Sequence, residues 1–191
     1  MGSNKEMTNL VIDNYLSRVS ESILSIRTND IEFLGKKIKE INKNGGGVYV
    51  VGNGGSAALA NHFATDIGVG ALKHNKPMKI ISLVSNISSL TASANDYGYE
   101  FVFSRELEII STSQDLLILI SSSGNSLNLL EAAKIAKERG VQTFGILGFD
   151  GGKLKNLVDY YIHVESRIGD YGVIEDCHSV ILHAITEALR I

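Results

Sequence analysis

His62 and Asp66 stand four residues apart in a stretch with helical spacing, which places both side chains on one helix face. A second group lies in Val173-Ile-Glu-Asp-Cys-His-Ser-Val-Ile-Leu-His183, where Glu175, Asp176, His178 and His183 crowd into one helical segment. Imidazoles and carboxylates grouped in this way suit two kinds of chemistry. They can move a proton to and from a substrate carbon near neutral pH, or they can ligate a divalent metal. Helix geometry alone leaves the partners open: Asp176 and His183, seven apart, nearly eclipse, while Glu175 and His183, eight apart, diverge by about 80°. Cys177 lies between an acid and an imidazole, but adjacent helix residues point apart. It reads as a small buried hydrophobe, and His74, His163 and His178 read as hydrogen-bonded structural residues.

Two loops supply a place for an anion. Val48-Tyr-Val-Val-Gly-Asn-Gly-Gly-Ser-Ala-Ala58 and Leu117-Ile-Leu-Ile-Ser-Ser-Ser-Gly-Asn-Ser126 each run from an apolar β-branched segment into small polar residues, then into a helical pattern. At such strand-to-helix turns, unpaired backbone N–H groups and the helix dipole favour negative charge. Serine hydroxyls at 121, 122, 123 and 126 can surround a phosphate without any cation, backbone amides supplying the remaining donors. Four serines in one turn exceed what capping the following helix requires. Gly52-Asn-Gly-Gly-Ser-Ala57 also fits the dinucleotide pattern G-x-G-x-x-A. That pattern needs an acid closing the next strand, and Met78-Lys-Ile-Ile-Ser-Leu-Val-Ser-Asn86 has none. No G-x-x-x-x-G-K-[ST] loop is present. No nucleotide cofactor is expected.

The elements that must hold these residues alternate. Helices are predicted at about 8–28 and 31–41, and the second stops at Asn42-Lys-Asn-Gly-Gly-Gly47. Strands follow at 48–52, 78–84, 115–120, 142–147 and 160–164. The intervening helices are placed at about 56–70, 86–95, 99–111, 126–139, 152–157 and 173–190. This alternation predicts an α/β three-layer sandwich, a parallel sheet with helices on both faces. Residues 1–7 are expected to be disordered or tag-like, and 8–191 to form one domain. The leading helices cover one sheet face or build an oligomer interface.

The chain of 191 residues is long enough for one core, with 44% hydrophobic and 20% charged residues. A net charge of −3 supplies no basic face for nucleic acid. One cysteine fits a reducing, cytoplasmic compartment, and no apolar run reaches membrane-spanning length.

Taken together, Gly52-Asn-Gly-Gly-Ser-Ala-Ala58, Asn61-His62, Ala94-Asn-Asp-Tyr-Gly-Tyr-Glu100, Ser121-x-Ser-Gly-Asn-Ser126 and Gly148-x-Asp-Gly-Gly152 resemble the sugar isomerase (SIS) domain. Within that family they are most similar to the phosphoheptose isomerases. The resemblance runs from about residue 8 to the C-terminus. It implies a five-stranded parallel sheet, a homotetramer with active sites at subunit interfaces, and aldose–ketose isomerisation of sedoheptulose 7-phosphate through an enediol. The product would be D-glycero-D-manno-heptose 7-phosphate for a surface polysaccharide.

The resemblance also distributes roles. Asp66 becomes the general base and His183 the general acid. His62, Asp66, Glu175 and His183 become a zinc set, one ion per subunit. Asn53, Gly54, Gly55 and Ser56, with Asn95, Asp96 and Glu175, contact the sugar, and Ser121, Ser122, Ser123 and Ser126 take the phosphate.

Three positions depart from the family pattern. Its His-x-x-x-Glu becomes His62 and Asp66, withdrawing the carboxylate by one methylene. Its Gln on the last helix becomes Glu175, adding a negative charge that a divalent metal between the carboxylates would offset. Its Thr-x-Arg-Ile-Gln lead-in becomes Gly169-Asp-Tyr-Gly-Val-Ile-Glu175, which points to a different sugar contact. Two related readings use the same fold without turnover. One is a protein-binding module like the replication-initiator-associating SIS proteins, which lack the final helix histidine; the other is a phosphosugar sensor. His183 favours the enzyme.

Overall fold

The computed structural model describes residues 2–72 and 77–190, so His74 lies outside the described residues. Two helices, α1 (Gly2–Leu24) and α2 (Thr28–Lys43), precede the first strand, β1 (Val48–Gly52). The chain continues as α3 (Gly55–Leu72), β2 (Ile80–Ser82), α4 (Ile87–Tyr97), α5 (Val102–Ile110), β3 (Leu116–Ser121), α6 (Leu127–Glu138), β4 (Gln142–Leu147), β5 (Tyr160–His163) and α7 (Tyr171–Arg190).

The five strands are all parallel, in the order β2-β1-β3-β4-β5. β1 and β3 are neighbours, yet their following helices pack on opposite sheet faces, which opens a crevice at their carboxyl ends. Their register, Val48 beside Leu116 through Gly52 beside Ile120, sets the Asn53 loop next to the Ser121 loop.

Alternating side chains build two cores. Val48, Val50, Leu116, Ile118 and Ile120 face Leu34 and Ile38 of α2, Phe63 and Ile67 of α3, and Ile174 and Ile181 of α7. Tyr49, Val51, Leu117 and Leu119 face Phe103 and Leu107 of α5 and Leu129 and Ala133 of α6. Strands buried on both sides read as continuous apolar runs, and each such side chain contributes roughly 1.5–3 kcal/mol on burial. α7 packs against α1, α2 and α3. Its entry is tied to α1 by an ion pair between Arg18 and Asp170, and by Tyr15 Oη donating to Asp176 Oδ2 at 2.7 Å.

Several boundaries differ from the sequence reading. α1 reaches back to Gly2, because no proline interrupts the 1–7 stretch expected to be disordered or tag-like. β2 is three residues long, where 78–84 was predicted. It lies at the sheet edge, and a turn closed by Ser85 N donating to Ser82 O ends it. The helix predicted at 99–111 opens as a separate 3-10 turn, Tyr99–Phe101, after Gly98. The one predicted at 152–157 is only a 3-10 turn, Leu154–Asn156, too short to propagate.

Candidate functional site

A cavity of about 160 Å³ sits in the β1–β3 crevice, lined by Asn53, Ser56, Ser121, Ser122, Ser123, Ser126, Tyr171 and Glu175. Complete small-ligand sites run to roughly 300–1,000 Å³, so this cavity suits the head of a ligand whose remainder lies outside it.

The serine loop is shaped for donating. Ser121 Oγ accepts from Gly124 N at 3.0 Å and Ser123 Oγ accepts from Asn125 N at 3.2 Å. With lone pairs engaged, each hydroxyl keeps its O–H for an acceptor. Those two amides are used within the loop, so the hydroxyls carry more of the donor load than the sequence reading assigned. Ser126 occupies the N-cap of α6 but makes no side-chain cap bond. Its hydroxyl lines the cavity instead, so helix capping does not account for it.

Behind the loop, Asn125 Nδ2 donates to Ser123 O at 2.9 Å, and its Oδ1 accepts from Lys153 N at 3.1 Å. Asn125 thus holds the loop in shape.

α3 and α7 bring a second group together. His62 Nε2 lies 3.0 Å from His183 Nε2, and Asp66 Oδ2 lies 3.3 Å and 3.9 Å from those two nitrogens. Two facing neutral imidazole nitrogens need one proton or one cation between them. Two ligand nitrogens on one tetrahedral zinc ion are separated by about 3.3 Å, so the donor set and its spacing fit that metal.

Glu175 is not in this group. Its carboxylate faces the start of α3. A Cβ on Gly55 would meet Glu175 Oε2 at 2.4 Å, so the carboxylate lies directly against the first residue of that helix. The structure thus gathers three of the four expected ligands and sets Glu175 in the cavity wall.

Asn53 belongs to a bonded trio. It exchanges hydrogen bonds with Asn128 and accepts one from Tyr99 Oη. Asn95 and Asp96 bond to one another at the end of α4, both exposed, without a hydrogen bond to this trio.

Residues 13–148 match the SIS domain family. A phosphoheptose isomerase of Campylobacter concisus is 40% identical over 159 residues, covering 83% of each chain. One from Aliarcobacter butzleri is 37% identical over 185 residues, covering 96% of this chain and 97% of its own. The solved phosphoheptose isomerase of Neisseria gonorrhoeae superposes with a TM-score of 0.85 at 29% identity, covering 97% of both chains. The chain belongs to the SIS domain family, in its phosphoheptose isomerase branch.

Seen as a member of that branch, the site contains three residues that the sequence reading did not single out. Tyr99 lies inside the quoted Ala94–Glu100 motif. Asn128 is a buried polar residue in the first turn of α6, beside Leu129 and Leu130. Tyr171 opens α7 and enters the cavity.

The remaining candidates are structural. Cys177 is fully buried, and burial with the neighbouring Asp176 charge pushes its thiol up to about 11. His163 Nε2 lies 3.0 Å from Phe149 O. His178 is fully buried, and neither ring nitrogen meets hydrogen-bond geometry. Burial pushes it down to about 4, and the nearby Leu147 backbone offsets only part of that.

In this SIS domain, His178 therefore ties stability to acid. The unfolded chain takes up the proton near pH 6.5, whereas the folded chain does so only near pH 4. Its contribution is complete above pH 6.5 and falls away as pH drops towards 4, by about 3 kcal/mol in total. Urea midpoints measured from pH 7.5 to 4 are expected to fall more steeply for wild type than for His178→Leu. Parallel curves would remove the assignment.

Proposed function

We propose that the chain isomerises sedoheptulose 7-phosphate to D-glycero-D-manno-heptose 7-phosphate by proton transfer through an enediol. The carrying observation is a cavity lined by hydroxyls suited to a phosphate, together with an acid–base group that α3 builds with α7, the helix that also sets Glu175 in the cavity wall. The family supports the substrate.

In this reading Ser121, Ser122, Ser123 and Ser126 hold the phosphate, while Asn53, Gly54, Gly55, Ser56 and Glu175 meet the sugar. Asn95 and Asp96 border the site from α4. Asp66 takes the proton from the carbon next to the carbonyl, and His183 gives one to the carbonyl oxygen. His62 packs edge-on against His183, ring centroids 5.2 Å apart, and fixes that ring's orientation. His62, Asp66 and His183 would hold one zinc ion per subunit, which when bound supplies Lewis acidity towards the substrate oxygens. No nucleotide enters the mechanism.

The active unit is proposed to be a cytoplasmic homotetramer with sites at subunit interfaces. Leu10, Val11 and Leu16 leave large apolar side chains exposed on α1. His62 and His183 each remain about half exposed, 54% and 53%, more open than a water-sensitive enediol tolerates unless a neighbour covers them. Among the described residues no helix is long and apolar enough to cross a membrane. The product is assigned to heptose supply for a surface polysaccharide.

The test is proton NMR of sedoheptulose 7-phosphate with the protein in deuterated water, with and without added zinc. An aldoheptose phosphate carrying deuterium at C2 is expected, formed faster with zinc. Binding without product or exchange would instead mark a phosphosugar sensor. Neither binding nor exchange would direct attention to a protein-binding role.

A further inference from the structure

Asn53 has its hydrogen-bonding capacity almost filled by the protein. Its Nδ2 donates to Asn128 Oδ1 at 2.8 Å, and Asn128 Nδ2 donates back to Asn53 Oδ1 at 2.9 Å. Tyr99 Oη donates to the same Oδ1, also at 2.9 Å. A carboxamide offers two lone pairs on oxygen and two N–H groups. Both lone pairs and one N–H are occupied, which leaves a single N–H for the cavity that Asn53 lines. Turning the amide over would set donor against donor at Asn128 and deprive the Tyr99 hydroxyl of its acceptor.

We propose that Tyr99 and Asn128 are positioning residues that fix Asn53 as a donor-only contact, so that it selects an accepting oxygen at the sugar end of the ligand. The proposal rests on reading the cavity as a phosphosugar site. With four hydroxyls of the facing loop available for the phosphate, the β1 loop carrying Asn53 meets the other end. The oxygen that fits is the open-chain carbonyl, which has lone pairs and no hydrogen to donate. A hydroxyl presented hydrogen-first finds no acceptor there. The polarity of this one contact thereby favours the open-chain ketose over closed forms that present a hydroxyl at that point.

Tyr99 is half exposed, so Tyr99→Phe removes one hydroxyl without opening the core. The test compares this variant with wild type by calorimetric binding and steady-state turnover of sedoheptulose 7-phosphate. Binding of inorganic phosphate and thermal unfolding serve as controls. Loss of one hydrogen bond that orients the amide is expected to raise both Kd and KM for the sugar phosphate about three- to tenfold. kcat, phosphate affinity and melting temperature are expected to stay at wild-type values.

Unchanged sugar phosphate affinity in Tyr99→Phe, alongside a wild type that turns over, would overturn the proposal while leaving the isomerase reading intact. Parallel weakening of inorganic phosphate would also overturn it, because Asn53 would then be reading the phosphate end. A lowered melting temperature with the same affinity would make Tyr99 structural only. A wild type that neither binds nor converts the sugar phosphate would remove the isomerase reading, and this proposal with it.

Discussion

Replacing Asp66 with asparagine is expected to lower kcat by about 10²- to 10⁴-fold, the usual contribution of a positioned general base. The side chain keeps its size and its place on α3, so folding is expected to be unaffected. What disappears is, among the described residues, the one carboxylate within 4 Å of both facing imidazoles, at 3.3 Å from His62 and 3.9 Å from His183. Exchange of the substrate's C1 and C2 protons with deuterated solvent is the sharper measurement, since it isolates proton removal from product release. Exchange at the wild-type rate in Asp66→Asn would assign the base elsewhere. Asp66→Glu supplies the companion result. It restores charge with one added methylene, and a shift near 1 Å can cost about a hundredfold, so it is expected to fall between asparagine and wild type. An Asp66→Glu protein faster than wild type would mean that this site is built around the longer side chain.

The second large effect is expected from Gly124→Ala. Gly124 has φ +62°, and a Cβ placed there would lie 2.0 Å from the carbonyl oxygen of Gly151. The left-handed conformation alone costs an alanine roughly 1–2 kcal/mol. The overlap is with backbone, so a whole loop must move rather than a flexible side-chain tip. That loop is joined to Gly124 by Leu154 N donating to Gly124 O at 3.0 Å, and Gly124 N in turn donates to Ser121 Oγ. A stability loss of about 3 kcal/mol or more is therefore expected, with at least tenfold weaker inorganic phosphate binding, read from urea midpoints and calorimetry. Wild-type phosphate affinity in a destabilised Gly124→Ala protein would separate the loop junction from the binding hydroxyls.

Much of the fold was legible because its signals are local. β1 and β3 are unbroken apolar runs of five and six residues, each ending in glycine or serine, as strands buried on both faces must be. β2 was less legible, because an edge strand is ended by its turn and not by its hydropathy. The serine loop stood out as four hydroxyls beyond the needs of a cap, and the idle cap position of Ser126 explains why the count was informative.

His62 and Asp66 were readable as a pair, since a spacing of four on one helix fixes their proximity. Their meeting with His183 was readable only through the family resemblance, because it depends on how α3 crosses α7, a packing angle that no local spacing encodes. The same limit applies to where the Glu175 carboxylate points. Asn128 and Tyr99 were missed for a related reason. Each looks ordinary along the chain, and their role arises only where the Tyr99 turn and the first turn of α6 meet Asn53.

α7 supplies Tyr171, Glu175 and His183, and it follows every strand in the chain. A polypeptide emerging from the ribosome can pair β1 with β3 and form the serine loop well before residues 171–190 exist. It cannot yet assemble the proton-transfer group or close the cavity wall. During vectorial synthesis the chemistry therefore switches on last, after the sheet that carries it has been laid down. A chain ending before α7 would lack Ile174, Ile181 and Ile185 from one core, and Tyr171 and Glu175 from the cavity wall.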